Sequence, residues 1–531
     1  MVINHPPISF LISICIIYMS WFKNLVNHTK SNKFTNWGET VINKQIKKFY
    51  PKNDDDIRRI IKKAIKYDYQ IRVCGIGHSS TPMVCDSNEK NIYLVSLKDY
   101  NFEPTNLHID HENMTVEVNA GWSLGQLYDK MSKYNYYLPT HPDIPVFTVG
   151  GVVNSTIHGS RLGASLLSDY VVAITLIDAD GNRITKTNAD SDFHLYTLSF
   201  GLFGIVIGVK FKIQKLYMEA KVTNYYNIFI EENGQTKVKR SMTDKFFKDI
   251  INKSLVLNSE NVHYNHSFID YHNNALISID WNNGTDKINI VDNFKEIEIV
   301  NTIKPLEFIL KNLIKNYREK EDILKLLGKT ARHQIAFSIE KNFQEDSDMF
   351  WVEYGMKTVF MSYFIPIHTE GDPINLDTLY TAIEVVAEEV KKFKKDNKHF
   401  NIDLPVDIRF VCSTENCFLS PINHLGKKIV YVSIELLTMN NNIEFFDKKI
   451  NCWNKNINRD FRQFYYNIEQ KWKGLGGITH LSKVFGFSGI SNNPFDPFAI
   501  GDIYPDSIKL EVKNKHQHIF TNNFLTNLFN L

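Results

Sequence analysis

The chain has 531 residues, 43% of them hydrophobic and 23% charged, with a formal net charge of +2. That length exceeds what one hydrophobic core supports, so two or more folding units are expected, and the near-neutral charge gives no reason to expect a nucleic-acid partner. The six cysteines show neither CxxC pairing nor histidines at zinc spacing, so no metal site is read and free thiols are expected, with a Cys412–Cys417 bridge left open.

In chain order, the run Ile8–Phe22 (ISFLISICIIYMSWF) is apolar and uncharged and is followed by Lys23. It is shorter than the roughly 20 residues of a spanning helix, and it lacks a basic leading region and a small-residue cleavage site. Two readings stand. One is an anchor or uncleaved signal that holds the protein at a membrane; the other is an apolar arm packed on a cytoplasmic protein. The polar stretch that follows, up to residue 36, reads as a tether.

From Trp37 onward the pattern is structural. Asp54 to Tyr67 opens with three acids, which suit a helix N-terminus, and carries Ile57, Ile60, Ile61, Ala64 and Ile65 at helical spacing. Gln70–Cys74 reads as a short buried strand, Asn91–Val95 and Met114–Asn119 as further strands, and Ser123–Lys133 as a helix. Tyr170–Ile177 is a strand that ends in the turn Asp178–Gly181, and Phe200–Val209 mixes apolar residues with glycine. Strands and helices punctuated by glycine turns indicate an α+β unit over 37–218. Beyond it, 219–455 combines β-like runs (Ser267–Asp270, Ala275–Asp280) with helical stretches, and Thr381–Lys395 forms an amphipathic helix whose basic end is a solvated terminus. A last helix starts near Phe461, within a C-terminal segment 456–531.

Three stretches carry candidate chemistry. In Val73-Cys-Gly-Ile-Gly-His-Ser79, Gly75, Ile76 and Gly77 precede His78 and Ser79. Glycine turns of this kind let a pyrophosphate approach the backbone. The third glycine and long helix of a Rossmann fingerprint are missing, and read alone, His78 is an ordinary turn histidine. The second stretch, Val149–Ser160, holds Gly150, Gly151, Ser155, His158 and Gly159, which suit either a tight loop or a backbone wrapped around phosphates. Two such loops in one unit favour a dinucleotide across it. In the third, Leu404–Phe410, Asp407 and Arg409 stand two apart on a strand and so share a face. They can form a structural ion pair or a grip on a hydroxyl-bearing carbon. His480 and Lys483 follow in Gly476–Lys483.

Together these stretches resemble the vanillyl-alcohol oxidase/p-cresol methylhydroxylase superfamily of FAD enzymes, and within it the aldonolactone oxidases (gulonolactone and arabinonolactone oxidases) and alditol oxidases. The likeness runs from Asn36-Trp37 to Gln214 and returns at 404–421 and 461–486. It implies an α+β fold with a two-lobed FAD-binding (PCMH-type) domain, an α/β substrate (cap) domain with an antiparallel sheet, and a C-terminal segment returning to the flavin. His78 matches the histidine that bonds the flavin covalently in members that have it. Gly150-Gly151 through His158-Gly159 matches the pyrophosphate loop, and Gly201-Leu-Phe-Gly204-Ile205 the element that closes over the cofactor. Pro405-Val-Asp-Ile-Arg409, Leu419-Ser-Pro421 and Gly476-Gly-Ile-Thr-His-Leu-Ser-Lys483 match the sugar-oxidising branch. Two departures stand out: Asp407 replaces the usual glutamate, and Leu481 replaces a tryptophan, which implies a reshaped pocket wall.

The resemblance implies FAD as cofactor, attached through His78, and hydride transfer from an alcohol carbon of a sugar lactone or polyol, with oxygen or another acceptor taking the electrons. Arg409 is expected to hold the substrate oxygen, Asp407 to orient the hydroxyl or take its proton, and Lys483 to place charge near substrate or flavin. The alternatives are another reaction of the superfamily, on an aromatic alcohol, an amine or a double bond, and a flavin-binding protein without turnover.

Overall fold

The side chain of Asn53 accepts a hydrogen bond from the Asp56 amide, and three acids follow it, so the helix Asp54–Lys66 begins where the sequence places it. Its buried face is Ile57, Ile60, Ile61 and Ala64, whereas Ile65 is exposed, because the fifth apolar position falls beyond the stripe that meets the sheet. The structure, a computed structural model, describes residues 33–215, 218–256, 262–283, 321–344, 358–424, 426–439, 455–487 and 503–531.

Two sheets build the first lobe. The strands Lys47–Phe49, Ile92–Val95 and Gln70–Val73 form a parallel sheet with Ile92–Val95 at its centre, which explains why that strand is buried along its whole length. An antiparallel sheet runs in the order Arg183–Thr187, Val171–Ile177, Ile205–Lys212, Thr115–Asn119, Leu107–Asp110. Ser123 caps the helix Leu124–Met131 through a reciprocal bond with Gln126. The stretch expected as a glycine loop at 149–159 opens instead with a short helix, Val149–Val153, because Thr148 caps it and its valines are buried.

The second lobe is an antiparallel sheet in the order Met218–Tyr226, Ala275–Asn283, His263–Asp270, Val406–Cys412, Ile429–Met439, Thr358–Thr369, Ile478–Thr479. The central strands are buried on both faces. Tyr264 and Phe268 join the core of the first lobe, while Ile269 joins the core under the helices Asp377–Lys395 and Lys455–Gly474. Mixed helices and antiparallel sheets are thus the fold class expected from the sequence.

The chain ends on the first lobe. Arg72 donates to the Phe520 carbonyl at 2.6 Å, and the Asn522 amide group donates to the Pro82 carbonyl at 3.0 Å. The Cys412–Cys417 bridge left open by the sequence is absent, since both residues are free, buried thiols, as are Cys74 and Cys85. Membrane attachment is also corrected: no helix among the described residues is long and apolar enough to cross a membrane. Ile8–Phe22, on which that expectation rested, lies outside the described residues.

Candidate active site

The two glycine stretches face each other. A Cβ on Gly75 would stand 2.2 Å from the Thr148 hydroxyl oxygen, so only glycine lets the first turn pass over the cap of the short helix. Between them lies a cavity of about 490 Å³. Its walls include Gly75, Ile76, Gly77, His78 and Ser79 from the first stretch and Gly150, Gly151 and Ser155 from the second, with Gly204 and Lys483. The other expected cofactor residues stand behind the wall. Ile205 is buried in the core of the first lobe. A Cβ on Gly159 would lie 2.2 Å from the His141 carbonyl oxygen, so this glycine serves packing against a neighbouring segment, away from the cavity lining.

His78 is held by aromatic rings. Trp37 stacks on it with centroids 5.4 Å apart, Phe147 meets it edge-on at 4.8 Å, and the Trp37 amide donates to the Gly77 carbonyl at 2.7 Å. Burial, aided by the Lys483 charge, lowers the His78 pKa to about 3, so its imidazole is neutral at physiological pH.

The C-terminal His-x-x-Lys stretch closes one end. The Ser80 amide donates to the Ser482 carbonyl at 2.8 Å, and the Thr81 hydroxyl donates to the Leu481 carbonyl at 2.8 Å. Leu481 itself is fully buried in the core, so the substitution that seemed to reshape the pocket wall lies behind it. Lys483 reaches the cavity with Nζ 4.0 Å over the Phe360 ring and 3.3 Å from Glu435 Oε2. His480 is buried beside it, with Nδ1 2.9 Å from the Thr156 hydroxyl, and His158 Nε2 lies 3.2 Å from the Ser433 hydroxyl. Burial lowers the pKa of His158 to about 3 and carries that of His480 well below the ordinary range.

Asp407 and Arg409 pair as their spacing allows, with Nη2 2.9 Å from Oδ2. Two residues that no motif announced complete the group. His266 Nε2 stands 2.9 Å from Asp407 Oδ1 and its Nδ1 3.3 Å from Asp143 Oδ2, and Arg409 Nη1 is 3.5 Å from the same Asp143 oxygen. Strand pairing brings His266 there, because it lies opposite Arg409 in the sheet. Burial works against ionisation of Asp407, but Arg409 and His266 outweigh it and hold the carboxyl at about 2. Glu435 lies directly across the sheet from Asp407. Its pKa is raised by burial and by the Asp407 charge, against the pull of Lys483 and Arg409. Neither Asp407 nor Arg409 lines the cavity itself; Lys483 is the member of the expected catalytic set that does.

These residues fit a flavin dinucleotide. The cavity is walled on two sides by glycine backbone, and the Ser482 hydroxyl on its wall is buried without a hydrogen-bond partner among the described residues. Residues 48–186 match the FAD binding domain family. The chain is 27% identical over 188 residues to the L-gulonolactone oxidase of Mus musculus, covering 35% of this chain and 41% of that one. It is 25% identical over 222 residues to the D-arabinono-1,4-lactone oxidase of Candida albicans, covering 38% and 40%. The matched region thus spans about two-fifths of the length of these curated relatives. Among solved structures, a solvent-stable cholesterol oxidase superposes with a TM-score of 0.67 at 14% identity, covering 94% of this chain and 97% of that one. The cholesterol oxidase of B. sterolicum gives 0.66 at 14% identity over 95% and 98%. At that identity the likeness is one of fold. The domain match and the lactone oxidase relatives support the resemblance read from the sequence, to the aldonolactone oxidase branch of the vanillyl-alcohol oxidase/p-cresol methylhydroxylase superfamily, and the fold neighbours support its fold.

Proposed function

We propose that the protein is an FAD-dependent oxidoreductase that oxidises an alcohol carbon of a neutral sugar lactone or polyol, in the manner of the aldonolactone and alditol oxidases. The observation that carries this reading is the meeting of His78 and Lys483 on one glycine-walled cavity, with Arg409 and two carboxylates behind Lys483. FAD, when bound, supplies a two-electron acceptor for hydride. The residues do the rest.

The turn Gly75–Ser79 and the loop at Gly150-Gly151 would hold the cofactor, and His78, whose imidazole is neutral, is the residue we assign to covalent attachment. Lys483 would stand at the substrate end as a hydrogen-bond donor, paired with Glu435. Arg409 would stabilise negative charge on the substrate oxygen. For Asp407 the geometry favours one of the two roles implied by the resemblance. Its two oxygens lie 2.9 Å from His266 Nε2 and Arg409 Nη2, and those neighbours hold its carboxyl below the usual range, so it orients Arg409 and does not take the proton. Anaerobic bleaching of the flavin by lactones or alditols tests the reading.

A further inference from the structure

Glu435 belongs to none of the motifs read from the sequence, and the roles assigned above leave it unused. It is 4% exposed, lies across the sheet from Asp407, and faces Lys483 at 3.3 Å. The substrate end therefore holds two ion pairs side by side, Arg409 with Asp407 and Lys483 with Glu435, and Asp143 adds a third carboxylate 3.5 Å from Arg409. A site that binds an anion keeps a cation uncompensated or offers an open guanidinium fork. Here the cation on the cavity wall already has its own buried carboxylate.

We propose that Glu435 is a specificity-determining residue: by cancelling the Lys483 charge at the cavity wall, it excludes anionic substrates such as sugar acids and sugar phosphates and admits neutral polyhydroxylated ones. This rests on the reading that the cavity holds FAD and that its Lys483 end receives the substrate. Glu435 acts through Lys483, which sits between it and the cavity. Burial already raises the Glu435 pKa against the pull of Lys483, so the two charges are removed together in the double variant Lys483→Met/Glu435→Gln.

The test uses sulfite as a small anion probe, with its affinity for the purified flavoprotein read from the loss of visible flavin absorbance. Glu435→Gln leaves Lys483 uncompensated and is expected to tighten sulfite binding by about tenfold or more. The double variant Lys483→Met/Glu435→Gln is expected to stay within about threefold of wild type, because it removes both charges of the pair. Glu435→Gln should also lower KM for an aldonic acid relative to the matching lactone. Unchanged sulfite affinity in Glu435→Gln overturns the inference. So does a tenfold weakening in the double variant, which decides the matter alone if the single Gln variant does not fold. A wild-type protein purified without flavin sinks the cavity reading instead, and the inference with it.

Discussion

The Ser80 amide donates to the Ser482 carbonyl at 2.8 Å, and this bond joins the turn that carries His78 to the segment that carries Lys483. The Thr81 hydroxyl repeats the link one residue on, to the Leu481 carbonyl. The two segments are far apart in sequence and belong to different lobes, yet they form one wall of one cavity. Thr81→Val removes the second link and leaves a buried carbonyl short of its donor. It is expected to cost about 1–2 kcal/mol in chemical unfolding while flavin content is unchanged. Stability equal to wild type would show that this contact does not hold the lobes in register.

His78 lies on the cavity wall between Trp37 and Phe147. If it carries the flavin, acid-precipitated wild-type protein stays yellow, and His78→Ala releases its flavin to the supernatant. A colourless wild-type pellet would return His78 to an aromatic packing role.

Arg409 is gripped by Asp407 and Asp143 through separate nitrogens of its planar fork. Arg409→Ala is expected to lower kcat/KM by about 10²–10³-fold. Arg409→Lys should recover little, because a point charge cannot span both carboxylates. Steady-state kinetics on the best substrate checks this; unchanged substrate-driven bleaching in Arg409→Ala would remove Arg409 from the site.

The local parts of this arrangement were legible in the sequence because their causes are local. Three acids start a helix, two glycine stretches mark where backbone approaches something, and an Asp-x-Arg spacing on a strand forces the two side chains to one face. What strand pairing creates was not legible. His266 and Glu435 fall outside every run singled out from the sequence, and they join the site because their strands flank Val406–Cys412 on either side. Asp143 lies outside the sheet and reaches the group through the fold alone. Alternation identifies a strand, but nothing in a single strand names its neighbours. The Leu481 departure misled for a related reason: a position within a matched motif was taken as pocket wall, and the turn directs it into the core.

Two buried histidines, His158 and His480, make the fold sensitive to acid. The pKa of His158 falls to about 3 from an ordinary value of 6.5, and that of His480 falls in the same direction, both with burial as the leading cause. A depressed base gains a proton on unfolding, so this stabilisation is complete above about 6.5 and is lost as pH falls toward 3. Each group contributes a slope of about 1.4 kcal/mol per pH unit in that window. The thermal midpoint is expected to drop steadily from pH 7 to pH 5, and His158→Gln is expected to flatten the slope. A midpoint that is flat or rises on acidification would contradict this account of the histidines.

The central claim is that this cavity oxidises a neutral polyhydroxylated alcohol with its flavin. The direct measurement is anaerobic mixing of the purified protein with a panel of sugar lactones and alditols while flavin absorbance is followed. The account predicts rapid bleaching by at least one neutral member of the panel, strongly slowed in Arg409→Ala. A flavin that stays oxidised with every lactone and alditol would contradict it.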